Sequence, residues 1–274
     1  MRMAVIGCGP MGSLHARKLA GMKDIDLVGV CDHHGVRADI LAEELRCDAY
    51  HDYWHFIDEV EAVVVATSPT SHGAICDEII QAHVHVLVEK PITTFEADAK
   101  HITRVAEETG IVLQVGHIER FNPVFRRIAS VIGHPFKIEV ERHCTESDRQ
   151  IEVDVALDLM IHDIDLVLSM AKPGVSSITA SGCRDSAIAE LRFPDGSVAI
   201  LRANRKAATK NRVWSVNDDK HYLLGEYDCL TDELRLFIEC IRAGKRPCVG
   251  GREATAALSV ALEISKQVNH AIRS

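Results

Sequence analysis

Nowhere in its 274 residues does the chain stay apolar for anything near the ~20 residues that a helix needs to cross a bilayer. An integral membrane protein built on helices is therefore not expected. An excess of basic residues is missing too. Thirty-one lysines and arginines stand against 40 aspartates and glutamates, a formal charge of −9, which argues against a nucleic-acid scaffold. The nine cysteines are an odd number and contain no Cys-x-x-Cys, so neither a disulfide framework nor a zinc site is suggested. Cys8, Cys31 and Cys76 lie in apolar or helical runs, as reduced core thiols do. Internal repeats, low-complexity tracts and a long linker are also lacking. A strand-like run begins within three residues of Met1, leaving no room for a signal peptide, and the expected compartment is the cytoplasm. What is left is a globular composition, 47% apolar and 26% charged, long enough for one large or two modest domains.

The most informative stretch stands at the start. Met3 to Ile6 is apolar and runs into Gly7-Cys8-Gly9-Pro10-Met11-Gly12, after which the sequence reads as helix. Three glycines at this spacing let a strand turn sharply into a helix. They also let backbone N–H groups and the helix N-terminus approach a pyrophosphate. Asp32 closes the next apolar run, 20 positions after Gly12. A carboxylate there can accept hydrogen bonds from a ribose 2′-hydroxyl and repel a 2′-phosphate. The expected cofactor is NAD; His33, His34 and Arg37 nearby leave NADP open, and an empty domain with a tight first turn is the bland alternative.

Strand-like runs at 3–7, 26–31, 61–67, 84–89 and 111–116 alternate with helix-like segments at 12–22, 35–45, 71–82 and 94–109. The runs 62–66 and 84–88 are continuously apolar, as strands buried on both faces of a parallel sheet are. Thr94 suits a helix start and Gly110 a left-handed helix end. The alternation predicts a doubly wound α/β domain over residues 1–120, whose ligands bind beyond the carboxyl ends of the strands. Two loops lie at such ends. Thr67-Ser68-Pro69-Thr70-Ser71-His72 is either a plain capping turn or a wall of the cofactor site, through Thr67, Ser68, Pro69 and His72. Glu89-Lys90-Pro91, whose Glu89 and Lys90 are also expected to contact the cofactor, presents a lysine that is either a surface cation or a functional ammonium, and the peptide before Pro91 is a candidate cis bond.

Residues 121–274 read differently. Strand character at 136–143, 175–182, 186–193, 197–204, 212–217 and 220–225 predicts a meandering antiparallel sheet, with Asp195-Gly196 as a hairpin turn. Helices are predicted at 230–243, ended by Gly244, and at 252–271, with Glu253 near its start. Asp158 and His162 are four apart, so a helix carries them on one face. His162 alone reads equally as a core or surface histidine. Asp163 and Asp165 are expected to face solvent or cap neighbours. A metal site is not expected, because zinc needs at least three placed ligands and this helix supplies two; His83 and His85 are another pair only.

In combination these stretches resemble the glucose–fructose oxidoreductase/inositol dehydrogenase (Gfo/Idh/MocA) family over nearly the whole chain. The marks are the glycine turn, His-Val-Leu-Val-Glu-Lys-Pro at 85–91, Gly-His-Ile-Glu-Arg-Phe-Asn-Pro at 116–123, Asp-Leu-Met-Ile-His-Asp-Ile-Asp at 158–165, and the run from Glu233 to Pro247. The resemblance implies a Rossmann domain followed by an α/β domain with an open, mostly antiparallel sheet for substrate binding and oligomerisation. It places the catalytic lysine at Lys90 and the Asp-x-x-x-His pair at Asp158 and His162. The 116–123 and 154–165 segments are similar to those of bacterial UDP-N-acetylglucosamine 3-dehydrogenases. The implied reaction is NAD-dependent oxidation of a secondary hydroxyl on a sugar or nucleotide sugar. His162 is assigned as base, Lys90 as polariser and Asp158 as orienting group, with the Lys90/His162 roles open to reversal. Arg120 and Asn122 are candidates for a substrate phosphate or hydroxyl, or for structural roles. A homo-oligomer, dimer or tetramer, is implied. Two departures are visible: the glycine-rich lead-in of many relatives is replaced by Ile151-Glu152-Val153-Asp154-Val155, and the chain is short. A non-catalytic NAD-binding regulator and a reductase of an imine, enone or tetrapyrrole remain as alternatives.

Overall fold

The computed structural model describes residues 1–274 apart from 147–151, 173, 218–219, 226 and 272–274, so Ile151 of the lead-in lies outside the described residues. Two compact units divide the chain: Met1–Gly116 with Leu230–Thr255, and His117–Cys229 with Ala256–Ser274.

The first unit alternates strand and helix: β1 (Arg2–Ile6), α1 (Pro10–Ala20), β2 (Asp26–Cys31), α2 (Gly35–Leu45), β3 (Asp48–Tyr50), β4 (Ala62–Val65), α3 (His72–Gln81), β5 (His85–Glu89), α4 (Glu96–Thr109) and β6 (Leu113–Gly116). Its sheet has the order β3-β2-β1-β4-β5-β6, and every neighbouring pair is parallel. The apolar runs account for this: Met3–Val5 and all of β4 are wholly shielded from water, as a sheet covered on both faces requires. The strand order reverses between β1 and β4, which is where such sheets open a ligand crevice. β3 has no counterpart in the sequence reading, since three residues at a sheet edge leave no periodic signal. α4 starts at Glu96 with Phe95 as N-cap rather than Thr94, and Thr93 Oγ1 donates to Phe95 O at 2.6 Å instead. Gly110 ends α4 with φ +72°, in the left-handed conformation expected of it.

The remaining elements are α5 (Pro123–Val131), β7 (Lys137–His143), α6 (Ile161–Met170), β8 (Ser177–Cys183), β9 (Ser186–Arg192), β10 (Val198–Asn204), β11 (Asn211–Val216), β12 (Lys220–Leu223), α7 (Cys229–Ala243) and α8 (Gly251–Ala271). A boundary at 120 assigns everything after it to the second domain, whereas the structure groups Leu230–Thr255 with the first unit. The reason is non-local pairing: Gln114 of β6 forms an antiparallel bridge with Gly250, Val115 N donates to Val249 O at 3.0 Å, and Gln114 Nε2 donates to Glu233 O at 3.0 Å.

In the second unit the sheet order is β12-β11-β7-β10-β9-β8. All pairs are antiparallel except β7 with β10, which run parallel, so the sheet is mixed rather than a simple meander. Pro194-Asp195-Gly196 turns β9 into β10, with Gly196 at φ +88° and Ser197 N donating to Asp195 Oδ1 at 2.9 Å. Alternate residues such as Ala189, Leu191, Ala199 and Leu201 point into the core, and the segment carrying Asp158 packs on β10. No helix among the described residues is long and apolar enough to cross a membrane. The nine cysteines form no disulfide with one another, and Cys8, Cys31 and Cys76 are buried. Burial, reinforced by the Asp32 charge, pushes the Cys8 thiol up to about 12.

Candidate active site

The glycine turn is built by sterics. A Cβ on Gly7, which has φ +99°, would come within 2.5 Å of Ala66 O, and one on Gly12 within 1.7 Å of Gly7 O. Those two glycines let the chain close on itself. Gly9 differs: nothing lies within 4 Å of where its Cβ would be, so it leaves room for something that is not protein. Gly9 is the N-cap of α1, Pro10 occupies the first turn, and neither a side-chain cap nor an acidic residue covers this helix end. The Met11 and Gly12 N–H groups precede the first intrahelical bond, Ser13 N to Gly9 O. An uncapped helix start beside an open glycine fits a pyrophosphate. Asp32 is buried; its Oδ2 accepts from Cys8 N and its Oδ1 from His34 N, each at 2.8 Å. It thereby straps the turn to the end of β2, and its remaining lone pairs can take a ribose hydroxyl. These residues fit NAD.

After β4, Ser71 Oγ donates to Thr67 Oγ1 at 2.8 Å, and Ser68 and Thr70 share a hydroxyl bond at 3.1 Å, while Pro69 opens a 3₁₀ turn into α3. His72 is buried, with Nδ1 2.8 Å from Pro91 O and Nε2 3.2 Å from Thr67 O. Burial holds this imidazole below its usual pKa, against the pull of the two carbonyls. Both ring nitrogens are thus turned to backbone, and His72 braces the two loops. Glu89 ends β5, buried, with Oε1 2.7 Å from His15 Nε2. Lys90 follows it, half-buried, and the Lys90–Pro91 peptide is cis.

The sequence reading gave no role of their own to three residues here. A Cβ on Gly116 would come within 2.9 Å of Glu89 Oε2, so Gly116 makes space for that carboxylate. His15 and Glu233 complete the surroundings; each falls on the buried stripe of its helix, beside Gly12, Ala16 and Leu19 on α1 and Leu230, Leu234 and Phe237 on α7. A titratable residue on an apolar stripe was the available signal. Among the described residues, His15, Glu89 and Glu233 form the one group of three metal-type ligands, their donor atoms within 4.8 Å of one another. The 2.7 Å His15–Glu89 separation is that of a direct hydrogen bond. Two ligands of a tetrahedral zinc with ~2.0 Å bonds stand about 3.3 Å apart, so the pair is geared to a proton.

In the second unit, residues Ala156–Met160 form a π-turn that runs into α6, where an uninterrupted α-helix was expected. Asp158 and His162 sit on either side of that junction, a kind of irregularity frequent at functional sites. Asp154 caps the turn, its Oδ1 accepting from Ala156 N, Leu157 N and Ser265 Oγ at 3.0–3.2 Å. Asp158 is buried and lies 3.8 Å from Arg205, which also pairs with Asp185 at 2.6 Å. The His162 ring stands edge-on to buried His117, 6.5 Å between centroids.

Asp163 and Asp165 do not face solvent. Each is only 1% exposed. Asp163 takes two hydrogen bonds from Arg142, at 2.7 and 2.8 Å, and Asp165 takes two from Arg120, at 2.5 and 2.8 Å. Buried carboxylates survive only with such partners, and the partners lie on β7 and in the 118–121 turn, out of reach of local pattern reading. Arg142 and Arg212 also hold Glu119, at 3.0 and 2.9 Å. Arg120 is thereby committed to a bidentate clamp. Asn122 is buried, its Oδ1 capping α5 through Val124 N at 3.0 Å and its Nδ2 donating to Glu119 at 3.2 Å. Both side chains do structural work in this geometry.

The family model for oxidoreductases with an NAD-binding Rossmann fold matches residues 1–117. The chain is 37% identical over 214 residues to the UDP-N-acetylglucosamine 3-dehydrogenase of Acidithiobacillus ferrooxidans, covering 75% of this chain and 67% of that protein. The chain belongs to the Gfo/Idh/MocA oxidoreductase family. It is accordingly an NAD-dependent oxidoreductase of the dehydrogenase type. A solved structure of the Acidithiobacillus ferrooxidans enzyme superposes with a TM-score of 0.91 at 30% identity, over 98% of both chains. Myo-inositol 2-dehydrogenase of Thermotoga maritima is 24% identical over 98% of this chain and 96% of its own. The WlbA dehydrogenase of Bordetella pertussis, solved with NADH and UDP-GlcNAcA, shares the fold at a TM-score of 0.86 and 20% identity.

Proposed function

We propose that this protein oxidises the 3-hydroxyl of UDP-N-acetylglucosamine with NAD. The observation that carries this reading is the likeness to the Acidithiobacillus ferrooxidans enzyme, 30% identical over 98% of both chains and alike in fold throughout. The substrate class, a sugar or nucleotide sugar, rests on the named activities of the relatives.

NAD, when bound, supplies the hydride acceptor. The chain's own residues handle the proton. The His162 imidazole takes it from the substrate hydroxyl. The Lys90 ammonium stabilises negative charge developing on that oxygen. Asp158, with its charge balanced by Arg205, orients His162. Gly9, Met11 and Gly12 offer backbone to the pyrophosphate, and Asp32 to the adenosine ribose.

The outer face of the second sheet bears Ile188 and Ile200 among Glu139, Arg192 and Arg202, and a second copy of the chain is its proposed cover. Light scattering that reports a monomer at micromolar concentration would remove that part of the reading.

The substrate is tested with a panel of UDP-sugars, free polyols and unsaturated acceptors, followed by NADH absorbance. NADH formation from UDP-N-acetylglucosamine, well above that from myo-inositol, is expected. Turnover only with a polyol, or only consumption of NADH by an unsaturated acceptor, would replace the proposal.

A further inference from the structure

Immediately before Lys90, inside the first unit, three ionisable side chains meet that no step above employs. His15, Glu89 and Glu233 are 0%, 8% and 0% exposed, and their polar atoms lie within 4.8 Å of one another. Their surroundings are unequal. The Glu89 carboxylate has two donors, His15 Nε2 at 2.7 Å and the Lys90 backbone N–H at 3.3 Å. Both carboxyl oxygens of Glu233 are buried without a hydrogen-bond partner, and so is His15 Nδ1. Two carboxylates this close and out of water do not both ionise. The anion belongs where the donors are, on Glu89, and the neutral acid where they are not, on Glu233. His15 fits the same scheme with its proton on Nε2, leaving Nδ1 as a bare acceptor rather than a stranded donor.

The titration tendencies agree with the geometry. Burial, reinforced by the Glu89 charge, pushes the Glu233 carboxyl well above its ordinary range. Burial works on Glu89 in the same direction, but the His15 hydrogen bond, with the Lys90 charge, outweighs it and holds Glu89 below the ordinary range. The chain on either side of Lys90 is therefore held by a buried histidine: His15 through the Glu89 carboxylate, and His72 through Pro91 O. Gly116 provides the space and Gln114 anchors the α7 backbone at Glu233.

We propose that His15 is a positioning residue for Lys90, acting through the Glu89 carboxylate that it keeps as the anion at the end of β5, with Glu233 as the neutral neighbour. This rests on the reading of Lys90 as the polarising group. Removing the His15 donor leaves Glu89 to take a proton or swing away, and the ammonium loses both its neighbouring charge and its anchor.

The test compares four variants with the intact protein. His15→Leu and Glu89→Gln are each expected to lower kcat about 10–100-fold, the scale of a lost charge-assisted hydrogen bond, with KM for NAD and substrate within about twofold. His15→Gln, which retains an N–H donor, restores most of that loss; a residue that only fills space gains nothing from the amide. Glu233→Gln, the isostere of a neutral acid, keeps kcat within about twofold. Isotope-edited infrared spectra of carbon-13-glutamate protein at neutral pH should show the carbonyl stretch of a protonated carboxylic acid, absent in Glu233→Gln. Lack of that band, full kcat in Glu89→Gln, or stoichiometric metal in the purified protein by plasma mass spectrometry overturns the inference. Lys90→Met is the control. If it is inactive while His15→Leu is fully active, only the positioning role falls; if it is fully active, the reading of Lys90 falls with it.

Discussion

On the proposed reading, Lys90 and His162 share the handling of the substrate proton. Removing either leaves the glycine turn and Asp32 untouched. Lys90→Met and His162→Ala are accordingly expected to bind NAD with unchanged affinity by fluorescence titration while kcat falls by about 10²–10⁴. Near-normal turnover in both would end the assignment. Glu233 makes a different prediction, one about stability. Its folded pKa is raised, so the folded chain holds a proton that the unfolded chain releases above the ordinary glutamate range. Stability contributed by that group is present at low pH and is lost as pH rises, by up to about 1.4 kcal/mol per pH unit. Glu233→Gln escapes this loss. It should melt higher than the parent at pH 7, with the advantage shrinking towards pH 4; parallel melting curves across that range would show Glu233 ionised in the fold. Lys90 and His162 were legible as candidates, because they sit in recognisable motifs. His15 and Glu233 stood in plain view as polar members of apolar helix stripes, but a stripe does not say which other stripe it meets.

At the level of elements, the ionic lattice of Glu119, Asp163, Arg142 and Arg212 ties the 118–121 turn, α6, β7 and β11 together. Burial alone would raise the Glu119 carboxyl; the Arg142 and Arg212 charges overcome this and hold it below the usual carboxylate range. The sign is opposite to that of Glu233. A depressed acid contributes its full stabilisation above the unfolded value and loses it as pH falls through the folded one. Glu119→Gln should therefore destabilise the protein at neutral pH and flatten the acid limb of its melting curve between about pH 5 and 3. An acid limb as steep as the parent's would place the acid sensitivity elsewhere. Local pattern found most strands and helices to within a few residues, though not β3 or α5, because apolar runs and glycine or hydroxyl punctuation are local. It failed where the cause is distant. Charges on a helix ordinarily face water, so Asp163 and Asp165 looked solvated until arginines at 142 and 120 were brought to them. The parallel pairing of β7 with β10 was hidden for the same reason, since the hairpins around it suggested a meander.

Over the whole molecule, the NAD-binding unit is not one continuous piece of chain. Its β6 edge is bridged by Gly250 and Val249, and Arg252 pairs with Glu107 on α4 at 2.5 Å. A fragment ending at residue 120 leaves that edge open and α7 absent. Expressed alone, it should lack a cooperative thermal transition, even though it contains every residue assigned to the cofactor; a sharp melt raised by NAD would contradict this.

The bridge at Gly250 also sets an order of events during synthesis. The glycine turn leaves the ribosome ahead of the rest of its unit, and the strand edge at Gln114 waits for a partner 136 residues downstream. At roughly 5–20 residues per second, that interval is on the order of ten seconds. Throughout it, the nascent Rossmann sheet carries an unsealed border, and a chaperone or the second unit's folding must share that time with it. A protein whose cofactor motif is written this far ahead of residue 250 cannot finish the domain that uses it until that residue has been made.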